Sequence, residues 1–356
     1  KGRLKFEGNV TVARTEDQRI PIGETGGHEG DVLLSALKLN PTFPVKNADG
    51  SYHQSSGDER NPVAMIKLTD DNNRSDRVLG NLTTSLKLLK NLSYKLNLAI
   101  DHSNISRKVV QRKDLIYLTD GGTVDINDIE LTSKLMENFV TYDLSLYEKH
   151  RFNFLAGHSY QHFRTYSYGF SEKGFRSDDV DYLNNLALGD YTSAIVKSNI
   201  TINELQSFYG RLNYNFNDRY LFTGTLRADG STKFGDNNKY GYFPSASFAW
   251  RLAEEEFIKK LNVFSNLKFR MGWGITGNQE IPNKISQASL GTTGNSGAIL
   301  DGSKGNVTPG ITLTRTPNPN LKWEKSTEFN VGIDWSVLDN RLSGTVDLYH
   351  KKTTDM

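Results

Sequence analysis

Residues 207–226 read SFYGRLNYNFNDRYLFTGTL: an alternating run, a three-residue turn and a second alternating run. Phe208, Gly210, Leu212, Tyr214 and Phe216 fall on one face, and Tyr209, Arg211, Asn213 and Asn215 on the other. A period of two predicts a β-strand, because successive side chains leave a strand on opposite sides. Asn217, Asp218 and Arg219 tolerate tight-turn geometry, so the segment is expected to form a hairpin with one apolar and one polar face.

Working outward, about eleven such segments emerge, near residues 3–14, 76–87, 92–102, 137–147, 151–168, 206–216, 220–228, 241–252, 267–276, 325–335 and 342–350. Their connections alternate in length. One set is short: 88–91, 148–150, 217–219 and 337–341, with 253–266 carrying the helix-like AEEEFIKKL. The other set is long: 15–75, 103–136, 171–206, 229–240 and 277–324. A soluble sandwich has no reason to alternate in this way. A membrane barrel does, with tight turns at one rim and large loops at the other. The faces agree: Leu267, Phe269, Met271, Trp273 and Ile275 would meet lipid, and Lys268, Arg270, Gly272 and Gly274 would not. Likewise Thr327, Phe329, Val331, Ile333 and Trp335 oppose Glu328, Asn330, Gly332 and Asp334. Trp250, Trp335, Tyr220 and Tyr147 stand near strand ends, where an aromatic girdle belongs.

The 36% apolar and 24% charged residues fit such a barrel, half of whose strand residues face water. No apolar run reaches the roughly 18 residues of a spanning helix. Cysteine is absent, which excludes disulfides and thiolate metal sites. The net charge of +2 gives no case for a nucleic-acid partner.

RADGSTKFG at 227–235 and KYGYFPSASFAW at 239–250 resemble segments of SusC/RagA-type TonB-dependent transporters of Bacteroidetes outer membranes. LKFRMGWGITGNQ at 267–279, NPNLKWEKS at 318–326 and RLSGTVDLYHKKTTD at 341–355 are similar to further segments of that family, in the same order. The first two hundred residues resemble it more loosely, through their hairpins and LKLNPTFPVKNADGSY at 37–52.

The resemblance implies an all-β transmembrane antiparallel barrel, with this chain supplying part of a wall of about 22 strands. Residues 1–356 are then expected to be a single partial barrel domain, without the plug, the N-terminal extension or the C-terminal strands. It also implies an outer-membrane location, a SusD-like surface lipoprotein, TonB acting through an N-terminal part, and import of a large nutrient, foremost an oligosaccharide, among oligosaccharide or peptide ligands. A structural or adhesive barrel that binds without transport is the alternative. Arg211, Asn213, Arg270, Glu328 and Asp347 are the lumen-facing candidates.

No catalytic, cofactor or metal site is expected. The chain contains no GxSxG, phosphate-cradling glycine loop or HExxH. His158 and His162 lie about 13 Å apart on a strand, too far to share one ion. Asp178, Asp179 and Asp181 lack the glycine-anchored pattern of a calcium loop and read as a solvated loop. DVLLSALKL at 31–39 has helical spacing, a capping Asp31 and Pro41 to end it, so a helix is expected inside the first long loop. Tyr52, His53, Gln54, Tyr166 and Tyr168 are aromatic and amide groups assigned to loops, of a kind that suits sugar or peptide ligands.

Overall fold

The computed structural model describes residues 2–22, 31–54, 60–292 and 310–355. The strands are β1 (Leu4–Arg19), β2 (Thr69–Lys87), β3 (Leu92–Gln111), β4 (Gly122–Leu146), β5 (His150–Phe175), β6 (Ile195–Phe216) and β7 (Tyr220–Ser231). They continue with β8 (Tyr240–Trp250), β9 (Phe264–Asn278), β10 (Ser289–Thr292), β11 (Ile311–Arg315), β12 (Glu324–Val337) and β13 (Leu342–Thr354). Eleven of them form one antiparallel sheet in chain order, β1 to β9 and then β12 and β13, while β10 and β11 form a hairpin of their own. Among the described residues, no helix is long and apolar enough to cross a membrane.

The register joins the two faces of each strand into two faces of the whole sheet. Leu86, Tyr94, Val140, Ala156, Gly210, Leu226 and Pro244 lie opposite one another in succession across β2 to β8. One residue along, Ser85, Lys95, Phe139, Gly157, Tyr209, Arg227 and Phe243 form the next row, on the other face. A slip of one residue anywhere would exchange the faces, so this agreement across the sheet carries topological information. A single layer cannot bury its own apolar side, and Phe6, Val12, Leu82, Phe208 and Phe222 are exposed on it.

The turns form one rim. Asn217 and Asp218 have φ of 52° and 55°, left-handed at both central residues of the tight turn that the Arg219 amide closes on the Phe216 carbonyl. The 251–263 connection contains a 3-10 turn at Leu252–Glu254 and the short helix Glu256–Lys259, as AEEEFIKKL suggested. Tyr220 stacks on Trp250 at 5.8 Å, and both donate to Glu255 in that connection. The aromatic girdle is therefore tied to its turn. Tyr147 directly follows the last residue of β4, in the turn to β5.

At the other rim the expected boundaries need correction. The segment 103–136, expected as a loop, is mostly strand, with only 112–121 between β3 and β4. β5 runs for 26 residues, where about 10 suffice to cross a bilayer, so the wall projects well beyond the membrane. Tyr166 and Tyr168, assigned to loops, lie within β5. Polar residues on both faces of these projections hid the alternation.

The buried cores also lie beyond the wall's middle, towards this rim. Val110, Val124, Phe175 and Tyr182 form one, and Phe234, Phe243 and Trp323 another. The expected loop helix is present as α1 (Val32–Lys38), with Asp31 accepting from the Leu34 amide at 3.0 Å. It packs on a helix the sequence reading missed, α2 (Pro62–Lys67), capped by Asn61. The same Asn61 side chain donates to the carbonyls of Val45 and His53, which folds the 37–52 segment back on the helices.

Candidate functional site: polar face and loop layer

All five side chains expected to face a lumen lie on the polar face. The row Asn215, Leu221, Ala249, Arg270, Gly332 and Asp347 crosses β6 to β13 without a break. Arg270 is its hub: Nε and Nη2 donate to the two oxygens of Asp334, each at 2.8 Å, and Nη2 also reaches Asp347 at 3.1 Å. Gly332 makes room for this, because a Cβ there would lie 2.2 Å from the Asp347 carboxylate. Asn213 belongs to a second chain, accepting from Thr223 and donating to Asn153, which donates in turn to Asp143. Arg211 and Glu328 share the face, exposed, at separate places. The candidates therefore do not converge on one pocket; they line a wall.

Arg270→Ala is expected to cost about 1–2 kcal/mol, because Asp334 and Asp347 lose the fork between them while partly reached by water. Arg270→Lys is expected to restore little of this, since an ammonium cannot bridge two carboxylates with a planar fork. Denaturant unfolding of the folded barrel checks both.

A third network on this face was not anticipated. The Tyr209 hydroxyl donates to Glu137 at 3.0 Å, the Arg227 guanidinium lies 5.4 Å from the Tyr209 ring centre, and Arg227 donates to Asp229 and Ser207. Gly157 faces Tyr209, and a Cβ there would meet the ring at 2.5 Å. The available signal was Arg227 and Asp229 two apart in RADGS, with a glycine in a strand otherwise full of large residues.

The motif-bearing segments meet in the loop layer. Pro244, which has no N–H to give, stands where the β8–β9 ladder ends. Beyond it, Trp323 packs on Phe234 and Phe243 at 4.5 and 5.3 Å and donates its indole N–H to the Lys239 carbonyl. A Cβ on Gly235, Gly241 or Gly277 would come within 2.4 Å of Pro319 or Phe243. RADGSTKFG, KYGYFPS, ITGNQ and NPNLKWE thus meet as four segments of one knot.

The loop after β5 is closed by Tyr182, stacked on Phe175 at 4.3 Å and lying under the Arg112 guanidinium. Asp178 accepts from the Tyr182 hydroxyl, and Asp181 from the Leu183 amide. Asp178 also accepts from the Lys113 amide at 3.4 Å, which ties this loop to the β3–β4 connection. His158 contacts Asn138 and Gln206.

Glu172, 6% exposed near the top of β5, has its carboxyl raised by burial and then by the charge of Asp190. A carboxyl raised in the folded state stabilises it while protonated, and that contribution is lost as pH rises through the raised value. Lys173, Asp120 and Arg176 are the other charges nearby. Hydrogen exchange of 176–194, corrected for intrinsic rate, is expected to quicken as pH rises above the usual carboxylate range, and Glu172→Gln to flatten that dependence.

Known proteins match this arrangement. Residues 23–356 match the family described as TonB dependent receptor-like, beta-barrel. The chain is 33% identical, over all of its length, to the TonB-dependent receptor P3 of Formosa agariphila, and 30% identical to the TonB-dependent receptor SusC of Bacteroides thetaiotaomicron. It covers 34% of each of those two proteins. Among solved structures, the RagAB peptide transporter superposes with a TM-score of 0.84 at 25% identity, over 100% of this chain and 39% of that one. The two-faced antiparallel sheet is thus a known architecture, and this chain belongs to the TonB-dependent receptor β-barrel family of the outer membrane.

Proposed function

We propose that the protein takes part in TonB-dependent import of a large nutrient, an oligosaccharide or a peptide, together with a SusD-like surface lipoprotein. The observation that carries this reading is the sheet with one apolar and one polar face across eleven strands, crowned at a single rim by packed loops. The apolar face fits lipid. The polar face, with Arg211, Asn213, Arg270, Glu328 and Asp347, fits a water-filled lumen. The loop layer offers exposed Leu33 and Leu37 on α1 as a surface for the lipoprotein. Family membership supports the transport assignment, and the likeness to the RagAB peptide transporter supports a peptide as one ligand class. No step here needs a catalysed reaction.

Cells carrying the intact gene are expected to accumulate a fluorescent oligosaccharide or peptide, and cells lacking either the gene or TonB are not. Surface binding with no TonB-dependent accumulation, for every glycan and peptide offered, would instead favour an adhesive barrel.

A further inference from the structure

β6 outruns its neighbour. It pairs with β5 from Ile195 to Phe216, but with β7 only from Leu205 onward. The Thr232 amide donates to the Glu204 carbonyl at 3.1 Å, and the Glu204 amide to Thr232 Oγ1 at 2.9 Å, which closes the β7 side of the strand at that point. Backbone groups alternate sides along a strand, so those of Ile202, Ile200, Ser198 and Val196 point the same way as those of Glu204, past the end of β7. Among the described residues, one of these groups has a partner: the Ile200 carbonyl accepts from Lys284 Nζ at 3.2 Å. The rest form an open strand edge about 20 Å long.

This edge stands in water. Glu204 lies about twelve residues up β6 from the turn rim, about 40 Å of strand and about 30 Å along the bilayer normal at a tilt near 40°, above an apolar band of about 25 Å. Val196, Ile200 and Ile202 are exposed on one side of the strand, and Lys197 and Asn199 on the other, with Thr201 and Asn203 half-buried beside them. Lys197 and Lys284 form no ion pair among the described residues. Glu204 sits at the closed end, where it accepts from the Tyr160 hydroxyl. Glu280, on the segment that carries Lys284, does not pair with it. Two cations along an open edge make pairing with a second copy of the same edge repulsive and leave it suited to an acidic strand.

We propose that this edge takes up an extended acidic peptide as an added strand, on the reading that the loop layer meets the imported ligand. The edge offers a backbone N–H and C=O at every second residue, about 7 Å apart, a repeat that a polypeptide matches and a glycan does not. The ligand's main chain pairs with Val196, Ser198, Ile200 and Ile202. Lys284 leaves the Ile200 carbonyl for a ligand carboxylate, and Lys197 meets acidic side chains on the polar side. Val196, Ile200 and Ile202 meet apolar ones on the other. Main-chain pairing tolerates many sequences, and the alternation of acidic and apolar residues sets the preference.

The test uses the full protein in detergent, with whatever lipoprotein co-purifies, and a fluorescein-labelled nonapeptide alternating valine with glutamate, read by anisotropy. The wild type is expected to bind it, and Ser198→Pro to bind it about tenfold more weakly. The Ser198 amide faces the open side, so proline removes an edge donor and leaves the β5 ladder intact. Ser198→Ala is expected to bind as the wild type does. The Lys197→Gln/Lys284→Gln variant is expected to lose affinity for this peptide and not for one alternating valine with serine. Methylating one alternate set of the peptide's backbone nitrogens is expected to abolish binding, and methylating the other set to leave it. Heat-modifiable gel mobility confirms that each variant is folded. Equal affinity of Ser198→Pro and wild type overturns the proposal. So does slow hydrogen exchange of the Val196, Ser198 and Ile202 amides before peptide is added, because the chain itself or the lipoprotein then covers the edge. Binding is read without uptake: unchanged Ser198→Pro affinity beside TonB-dependent accumulation refutes the site and keeps the import function, whereas edge binding in a protein that accumulates nothing refutes the import function and keeps the site.

Discussion

Replacing Trp323 by alanine is expected to cost about 3–5 kcal/mol, the range for removing a large buried aromatic side chain. The indole is 4% exposed, packs on both Phe234 and Phe243, and gives its N–H to the Lys239 carbonyl. It joins the β7–β8 connection to the segment before β12, which no strand pairing does. The loss should therefore appear first as local opening. Limited proteolysis and hydrogen exchange are expected to show release of 232–239 and 318–323 while the strands stay protected. Trp323→Phe should recover part of the packing and none of the hydrogen bond. Gly235→Ala should act in the same direction, because its Cβ would lie 2.1 Å from the Pro319 carbonyl oxygen and backbone must move. Phe257→Ala, at a residue 58% exposed in the opposite rim, is the control and should stay within about 0.5 kcal/mol of wild type. If Trp323→Ala leaves proteolysis of these segments unchanged, the knot does not hold the rim.

Leu212→Arg is expected to lower stability by about 2–4 kcal/mol, the cost of a cation on the lipid face near mid-bilayer, and Asn213→Arg by less than about 1 kcal/mol. The two residues are neighbours on β6, so any effect of tilt, depth or strand propensity is shared. Only the face differs. Leu212 lies opposite Phe154 and Gly224, in the apolar row, whereas Asn213 lies between Asn153 and Thr223, in the polar one. Folding into vesicles, followed by heat-modifiable mobility across a urea series, measures both. Equal costs would mean that the sheet has no lipid face.

Period-two alternation made the wall legible, and it succeeded wherever one side of a strand meets lipid. Residues 207–216 and 267–275 are examples, since mixing apolar with charged positions there is physically costly. It failed above the membrane, where both faces of β4 and β5 meet water and nothing enforces alternation. The strand Asp125-Ile126-Asn127-Asp128 reads as loop for that reason and is paired to β3 and β5 throughout. The five polar-face candidates stood out because a charged or amide group in an alternating strand is conspicuous. The Glu137–Tyr209–Arg227 network was not, because its members come from β4, β6 and β7 and meet only through register. Likewise RADGSTKFG and NPNLKWE could be recognised as segments, but nothing in either predicts that Gly235 touches Pro319. α2 escaped because it is six residues long, too short for periodicity to register.

The central claim is that the row containing Phe208, Gly210, Leu212, Tyr214 and Phe216 faces lipid and the row between faces water. The chain has no cysteine, so single cysteines placed at each position from 208 to 216 can carry one bimane label each. Fluorescence would be read in bilayers of brominated lipid and, separately, with a water-soluble quencher. The account predicts alternation: bromolipid quenches labels at even positions, the aqueous quencher those at odd positions, with the sign reversing at every residue. Uniform quenching along the strand, or bromolipid acting on the odd positions, would contradict it.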